Sequence, residues 1–508
     1  MCFLAHFKYV SLILWKERFA TAVANREFNL DKYTNSVFCQ FPTVAELRTA
    51  LEASEGSDVR KQITALFDEN TFIETSAYTT RGYSEFLSTE KAREFEGVIC
   101  GYGAIDGKLT FAFAEDAERM GGAIDERHAK KICDLYKMAI ENGAPVIGIF
   151  NSNGVDIFEG TAGLAAYGRI MSAVSNASGI IPQIAYITGK CIGTCAAIAS
   201  MLDIVVKERG ASFYVSSPVL TEREGAQDAV ISYSADFEQC ARYIRSLISF
   251  LPQNSSVGIQ KSEVCADNLN RKLGDVDLSE SATTAISLIC DNGIYNELSR
   301  DFAKVAVTAF TTIGGVKCGI VATSFDENQG RLTRDATKKI SRFVNFCDSF
   351  SIPIVTLVDS LGLAIDGDNE TNFAPEIGRL AFAYASSRTP KVTVILGHAI
   401  GAAFVLLGSK SLGADIVYSL DSAEIGAMSA TSGVAFAWEK HITEETTRES
   451  LIENWKSSVS SPTHAAESGE IDDIISTNEV RARICAALMM LSCKGAHSMV
   501  ARRKVLPL

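Results

Sequence analysis

The chain has 508 residues, of which 47% are hydrophobic and 21% charged, with 10 prolines and a formal net charge of −13 at pH 7. This is the make-up of a well-buried globular protein of roughly two to four domains, not of a disordered one. An acidic surface repels phosphate backbones and anionic headgroups, so neither nucleic acid nor a membrane surface is an expected partner.

Residues 1–45 read as an N-terminal extension. Its apolar run, Val10 to Trp15, is too short for the hydrophobic region of a signal peptide. No stretch of the chain reaches the length of a membrane span, and a cytoplasmic protein is expected. The 13 cysteines are scattered without a CxxC pair, which suits buried thiols in a reducing compartment. No metal site is expected.

From Ala129 the chain repeats itself. AKKICDLYKMAIENGAPVIGIFNSNG recurs as TKKISRFVNFCDSFSIPIVTLVDSLG from Thr337, so that Pro145 pairs with Pro353, Ser152 with Ser360 and Gly154 with Gly362. The offset of 208 residues then survives a loop. IPQIAYITGKCIGTCAA from Ile181 matches TPKVTVILGHAIGAAFV from Thr389, pairing Gly189 with Gly397 and Gly193 with Gly401. Duplication of a domain explains a constant offset over so long a span. Each unit reads as helix, proline-led apolar strand, glycine turn, helix, strand, glycine turn, helix. Short continuous apolar runs between turn signals suit strands buried on both faces, which gives an α/β fold. The two halves are expected to share one strand order. The segment from Ser216 to Asn292, which contains FLPQN, reads as the connection between them, and the tail from Glu444 reads as helical.

Two glycine turns are the candidates for chemistry. Gly193-Thr194-Cys195 and Gly401-Ala402-Ala403 each follow an apolar strand and open a helix of small residues. A helix N-terminus offers unpaired N–H groups and a partial positive charge, and two donors aimed at one oxygen make an oxyanion hole. For a single turn of this kind the favoured reading is that glycine turns the chain and lets a helix pack on a strand. Two at one offset could face two carbonyls. GxSxG, HExxH and GxxxxGK[ST] are all absent, and the six histidines lack metal-ligand spacing. His128 and His398 lie near the repeated segments, where a lone histidine is usually structural. The pairs Lys130-Lys131 and Lys338-Lys339 read as exposed helix charges, with contacts to phosphates as the other reading.

These segments resemble the carboxyltransferase subunits of biotin-dependent acyl-CoA carboxylases, and those of sodium-pumping acyl-CoA decarboxylases. The resemblance rests on GGAIDERHAKKICDLYKMAIENGAPVIGIFNSNG, EGTAGLAAYGRI, SGIIPQIAYITGKCIG, FLPQN, RFVNFCDSFSIPIVTLVDSLG, PKVTVILGHAIGAA and AEIGAM, and covers about Leu66 to Met428. It implies two tandem crotonase-like domains, at 46–265 for the acyl-CoA half and 266–508 for the biotin half. It implies a reaction in which carboxybiotin releases CO2, the ureido anion removes the α-proton of the acyl-CoA, and the thioester enolate attacks CO2. Gly193 and Thr194 would then serve the thioester oxygen, and Gly401, Ala402 and Ala403 the ureido oxygen. Gly154, Gly189, Gly397 and Val405 would line the ligand beds. Biotin would arrive on a separate carrier protein charged by a biotin carboxylase, or the partner would be a decarboxylase membrane subunit. Neither an Ala-Met-Lys-Met motif nor an ATP-binding module occurs in this chain. The family joins the N-half of one subunit to the C-half of another, usually in a hexamer.

The chain departs from the family pattern at several points. Its turns read Gly-Thr-Cys and Gly-Ala-Ala where Gly-Gly-Ala is usual. Asp156 stands where arginine is common, Ser360-Leu361-Gly362 follows Asp359, and Val405 stands where propionyl-type members carry aspartate. These departures leave a second reading, a weakened paralogue acting as a structural or regulatory partner of an active subunit. A crotonase-type hydratase or isomerase ranks below both, because the turns carry no paired carboxylates.

Overall fold

The computed structural model describes residues 43–53, 57–81, 94–216, 229–261, 265, 267–274, 276–443 and 446–494. Most of the N-terminal extension and the end of the helical tail lie outside the described residues. The chain forms two compact units, Met1–Gly56 and Ser57–Leu508. In the first, helix α1 (Val44–Glu52) opens on a capping box. Glu46 N donates to Thr43 Oγ1 at 3.3 Å, and Thr43 N donates back to the Glu46 carboxylate at 2.7 Å.

The second unit opens on helix α2 (Asp58–Leu66) and holds two sheets of eight strands each. The first comprises β1 (Ile73–Thr75), β2 (Val98–Ile105), β3 (Lys108–Glu115), β4 (Val146–Ser152), β5 (Gln183–Ile192), β6 (Ile204–Glu208), β7 (Ser212–Tyr214) and β8 (Ile231–Ala235). The second comprises β9 (Tyr295–Leu298), β10 (Ala306–Ile313), β11 (Val316–Thr323), β12 (Ile354–Ser360), β13 (Lys391–Ile400), β14 (Ile416–Leu420), β15 (Glu424–Gly426) and β16 (Asp473–Ile475). Their orders are β1-β2-β3-β4-β5-β6-β8 with β7 on β5, and β9-β10-β11-β12-β13-β14-β16 with β15 on β13. The halves therefore share one strand order, as the constant offset predicts.

The ladders preserve that offset residue by residue. Val146 faces Gln183 as Ile354 faces Lys391, and Ser152 faces Cys191 as Ser360 faces Ala399. Past the second glycine turn the offset grows by four. Ile184 faces Ile204, but Val392 faces Ile416, so the added residues lie just before β14. All seven residues of β12 are buried, as a parallel strand covered on both faces requires.

The covering helices follow from an apolar stripe and a cap. α3 (Glu126–Asn142) starts at Asp125, whose side chain accepts from His128 N, and buries Ile132, Leu135, Tyr136 and Ala139 on one face. Its counterpart α7 (Arg334–Ser349) is capped by Thr333. Lys131 and Lys339 do not behave as sequence alone suggests. Both are buried: Lys131 Nζ donates to Val98 O at 2.6 Å, and Lys339 Nζ to Ser299 O at 2.8 Å and Phe302 O at 2.9 Å. Only their neighbours Lys130 and Lys338 pair with aspartates of their own helices, Asp134 and Asp335.

The described part of the connection between the halves packs into the core. It contains α6 (Phe237–Phe250), whose Cys240, Ile244, Leu247 and Ile248 are fully buried. Lys108, from the β2–β3 hairpin, donates to Ile248 O, Ser249 O and Leu251 O at 2.8–3.0 Å. Lys317, from the β10–β11 hairpin, donates to Ser249 O and Phe250 O at 2.7 and 2.9 Å. The free carbonyls and negative dipole end of one helix thus anchor an ammonium from each half. One hydrophobic cluster runs from Ile147 through Ile244 to Phe310 and Phe343.

Candidate active site

Each half carries the same turn at the carboxyl end of its long central strand. Gly193 has φ 62° and ψ −130°, and Gly401 has φ 58° and ψ −134°, a region closed to most L side chains. Each glycine caps a helix that opens on small residues, α5 (Thr194–Met201) and α9 (Ala402–Leu406), where α4 denotes Thr161–Ala177 and α8 Phe373–Ser386; in α9 only the first two residues are small, and Phe404, Val405 and Leu406 follow. The glycine N–H groups themselves are engaged. Gly193 N donates to Tyr214 O at 3.0 Å and Gly401 N to Gly426 O at 2.8 Å, continuing the β5–β7 and β13–β15 ladders. The donors left ahead of the first intrahelical bond belong to Thr194, Cys195 and Ala196, and to Ala402, Ala403 and Phe404, with no side-chain cap on either helix among the described residues; the first two of each set lie nearest the turn. Thr194 and Ala402 are exposed, whereas Cys195 and Ala403 are buried. Val405 lies further along its helix and is 43% exposed.

The other glycines singled out by the repeat shape the turn from beneath. A Cβ on Gly189 would lie 2.2 Å from Asn151 Oδ1, and one on Gly397 would lie 2.6 Å from Asp359 Oδ1. Their absence of a side chain lets Asn151 Oδ1 accept from Lys190 N at 3.1 Å and Asp359 Oδ1 accept from His398 N at 2.8 Å. Gly154, at φ 112°, donates its N–H to Ser152 Oγ at 3.0 Å, and Ser152 Oγ donates to Gly122 O at 2.6 Å. Ser360, Gly362 and Gly330 repeat that arrangement.

Three features had no signal in the repeat. The first is Arg81, whose buried guanidinium lies 3.3 Å from Asp156 and 3.8 Å from Asp125. The negative charge at Asp156 is therefore compensated from within. The second is the Asp359–His398 pair, in which Oδ1 and the ring Nδ1 are 2.9 Å apart. His128, by contrast, is fully buried in the core, as the structural reading of a lone histidine expects. The third is Glu115 at the end of β3, 1% exposed, whose Oε2 accepts from Asn151 N at 2.9 Å. Thr323 takes its place in the second half, with Asp359 N donating to Oγ1 at 2.7 Å.

Burial pushes the Glu115 carboxyl up to about 8 from 4.5, against the opposing pull of the Asn151 N–H. The folded chain then holds a proton that the unfolded chain releases, so this contribution is complete below pH 4.5 and is lost as the pH rises through 8. Glu115→Gln is expected to flatten the fall in stability between pH 5 and 7 by about 3 kcal/mol relative to the parent. Urea midpoints for both proteins at pH 5, 6, 7 and 8 measure this; parallel curves would show that Glu115 carries no such proton.

Twin parallel-centred sheets, each with a glycine turn at the end of its central strand, define a tandem crotonase-like α/β fold. Comparison with known proteins agrees. The carboxyl transferase domain family matches residues 52–506. The chain is 32% identical over 476 residues to the methylmalonyl-CoA decarboxylase subunit alpha of Propionigenium modestum, covering 87% of this chain and 91% of that one. It is 32% identical over 480 residues to the propionyl-CoA carboxylase carboxyltransferase subunit of Haloferax mediterranei, covering 88% and 93%. Among solved structures it is similar to transcarboxylase 12S, described as a hexamer with methylmalonyl-coenzyme A bound. There the TM-score is 0.82 at 28% identity, with 92% of this chain and 98% of that chain covered. The chain belongs to the carboxyl transferase family and is a carboxyltransferase. Among the described residues, no helix is long and apolar enough to cross a membrane, and no three His, Cys, Asp or Glu are grouped to hold a metal.

Proposed function

We propose that the chain moves a carboxyl group between carboxybiotin, carried on a separate protein, and the α-carbon of a short acyl-CoA, through a thioester enolate. The observation that carries this reading is the pair of glycine turns, equal in backbone angles and each followed by uncapped helix donors. In the first half, taken as 46–265, the N–H groups of Thr194 and Cys195 meet the thioester oxygen as it gains charge. In the second, taken as 266–508, those of Ala402 and Ala403 meet the ureido oxygen. Gly193 and Gly401 set the direction of these donors, Gly154, Gly189 and Gly397 support the ligand beds, and Val405 edges the acyl pocket. Carboxybiotin supplies the carboxyl group and, after its departure, the nitrogen that accepts the α-proton. The protein's share is alignment and preorganised donors, which is why no side-chain base is needed at the turns.

The working unit in this reading is a cytoplasmic homo-oligomer, a hexamer like transcarboxylase 12S, with the N-half of one subunit against the C-half of another. Exposed apolar side chains support it. Ile157 is 76% and Leu164 61% exposed in the first half, and Ile365, at the equivalent position to Ile157, is 88% exposed in the second. A biotin carrier, with a biotin carboxylase or a decarboxylase membrane subunit, would complete the system.

The test is biotin-dependent decarboxylation of malonyl- or methylmalonyl-CoA by the purified chain. Thr194→Gly leaves both donors in place, so its rate should stay within about threefold of the parent, far from the 10²-fold or greater loss that follows deletion of an oxyanion donor. An inert parent that Thr194→Gly revives would mean that the natural chain is a weakened partner subunit.

A further inference from the structure

The duplication supplies its own control for each position. At the strand end before the turn, the first half has Lys190, exposed, above the carboxamide Asn151. The second half has His398 above the carboxylate Asp359. Asp359 is 3% exposed, and its Oδ1 accepts from both the backbone N–H and the ring Nδ1 of His398, at 2.8 and 2.9 Å. Its Oδ2 is buried without a hydrogen-bond partner, and His398 is its ion-pair partner among the described residues. A carboxylate only accepts, so Nδ1 carries the hydrogen and Nε2 is the nitrogen left to act. Phe325 stacks on the ring with centroids 4.8 Å apart and planes 16° apart, which holds its orientation. The His398 side chain is 32% exposed, and no described residue bonds Nε2.

We propose that His398, fixed by Asp359 and Phe325, presents Nε2 as a hydrogen-bonding group to the biotin ureido ring at the Gly401 turn. This rests on the carboxyl-transfer reading and adds a ligand contact that the first half lacks. Three arguments support it. An imidazole whose second nitrogen had only a structural duty would need no outward access. The ring sits three residues before Gly401, on the strand that ends in the turn. Position 397 must remain glycine for Asp359 to reach the ring, since any Cβ there would lie within 2.7 Å of both carboxylate oxygens.

Two substitutions separate a ligand contact from a mere brace. His398→Asn keeps a donor at the place of Nδ1 and so keeps the bond to Asp359, but removes Nε2. His398→Gln keeps a polar group near Nε2 and gives up the bond to Asp359. Binding of D-biotin to the purified full-length chain is followed by saturation-transfer NMR, alongside KM for biotin and for malonyl-CoA in the decarboxylation assay. For His398→Asn, the dissociation constant and KM for biotin should rise about tenfold, the value of one hydrogen bond, with KM for malonyl-CoA and the melting temperature unchanged. His398→Gln should recover part of the loss. Biotin binding by His398→Asn equal to the parent would overturn the proposal, as would absence of any biotin signal from the parent. If the parent binds biotin in a His398-dependent way yet turns over no acyl-CoA, the contact stands and the carboxyl-transfer reading falls.

Discussion

Gly193→Pro is expected to abolish carboxyl transfer, with a loss of at least about 10³-fold in rate. Proline fixes φ near −65°, whereas this residue sits at φ 62°. It also lacks the N–H that donates to Tyr214 O at 3.0 Å and holds β5 to β7. The donors of Thr194 and Cys195 would therefore be re-aimed even with their own N–H groups intact. Gly193→Ala refines the test. No atom lies within 4 Å of a Cβ built there, so alanine meets only the cost of a conformation that L residues avoid. A loss of about 10²-fold is expected for it, with circular dichroism like that of the parent. Equal turnover by Gly193→Pro and the parent would remove the first turn from the reaction altogether.

The second large effect falls on stability. Arg81→Met should cost about 3–5 kcal/mol in urea unfolding at pH 8, because it strands Asp156 and Asp125 without their shared cation. The Arg81 side chain is 1% exposed, and the two carboxylates are 9% and 4% exposed, so water cannot take over its part. Burial and the neighbouring Glu96 already raise the Asp125 carboxyl, with Arg81 opposing them. Acidification neutralises the raised Asp125 carboxyl, so the deficit should shrink towards pH 5. Asp156→Asn placed on Arg81→Met should restore part of the loss, since one buried charge is then removed. A cost below about 1 kcal/mol at pH 8 would mean that Arg81 pairs with neither aspartate in solution.

The repeat at 208 residues was enough to read the tandem α/β halves, the buried parallel strands and the two turns, because backbone-driven features leave periodic traces. Pro145 and Pro353 open equivalent strands, and Gly193 and Gly401 stand where only glycine suits the backbone. Which N–H groups remain free was not legible. That depends on β7 and β15 pairing with the ends of β5 and β13, which spends the glycine donors and leaves those of the residues that follow, Thr194 and Cys195 first in one half and Ala402 and Ala403 first in the other.

Long-range electrostatics were equally hidden from the sequence. Asp156 reads as a reversed charge until folding brings Arg81 beside it across 75 positions. Lys131 and Lys339 look like surface charges until their ammonium groups are found capping buried carbonyls. His398 reads as a lone histidine because Asp359 lies 39 positions away, on the neighbouring strand. The sequence by itself determined the architecture and the position of the two glycine turns, since apolar period and glycine positions are local properties. Only the tertiary structure decided charge compensation, donor availability and the orientation of His398, since each depends on strands and helices that meet only when the sheet closes.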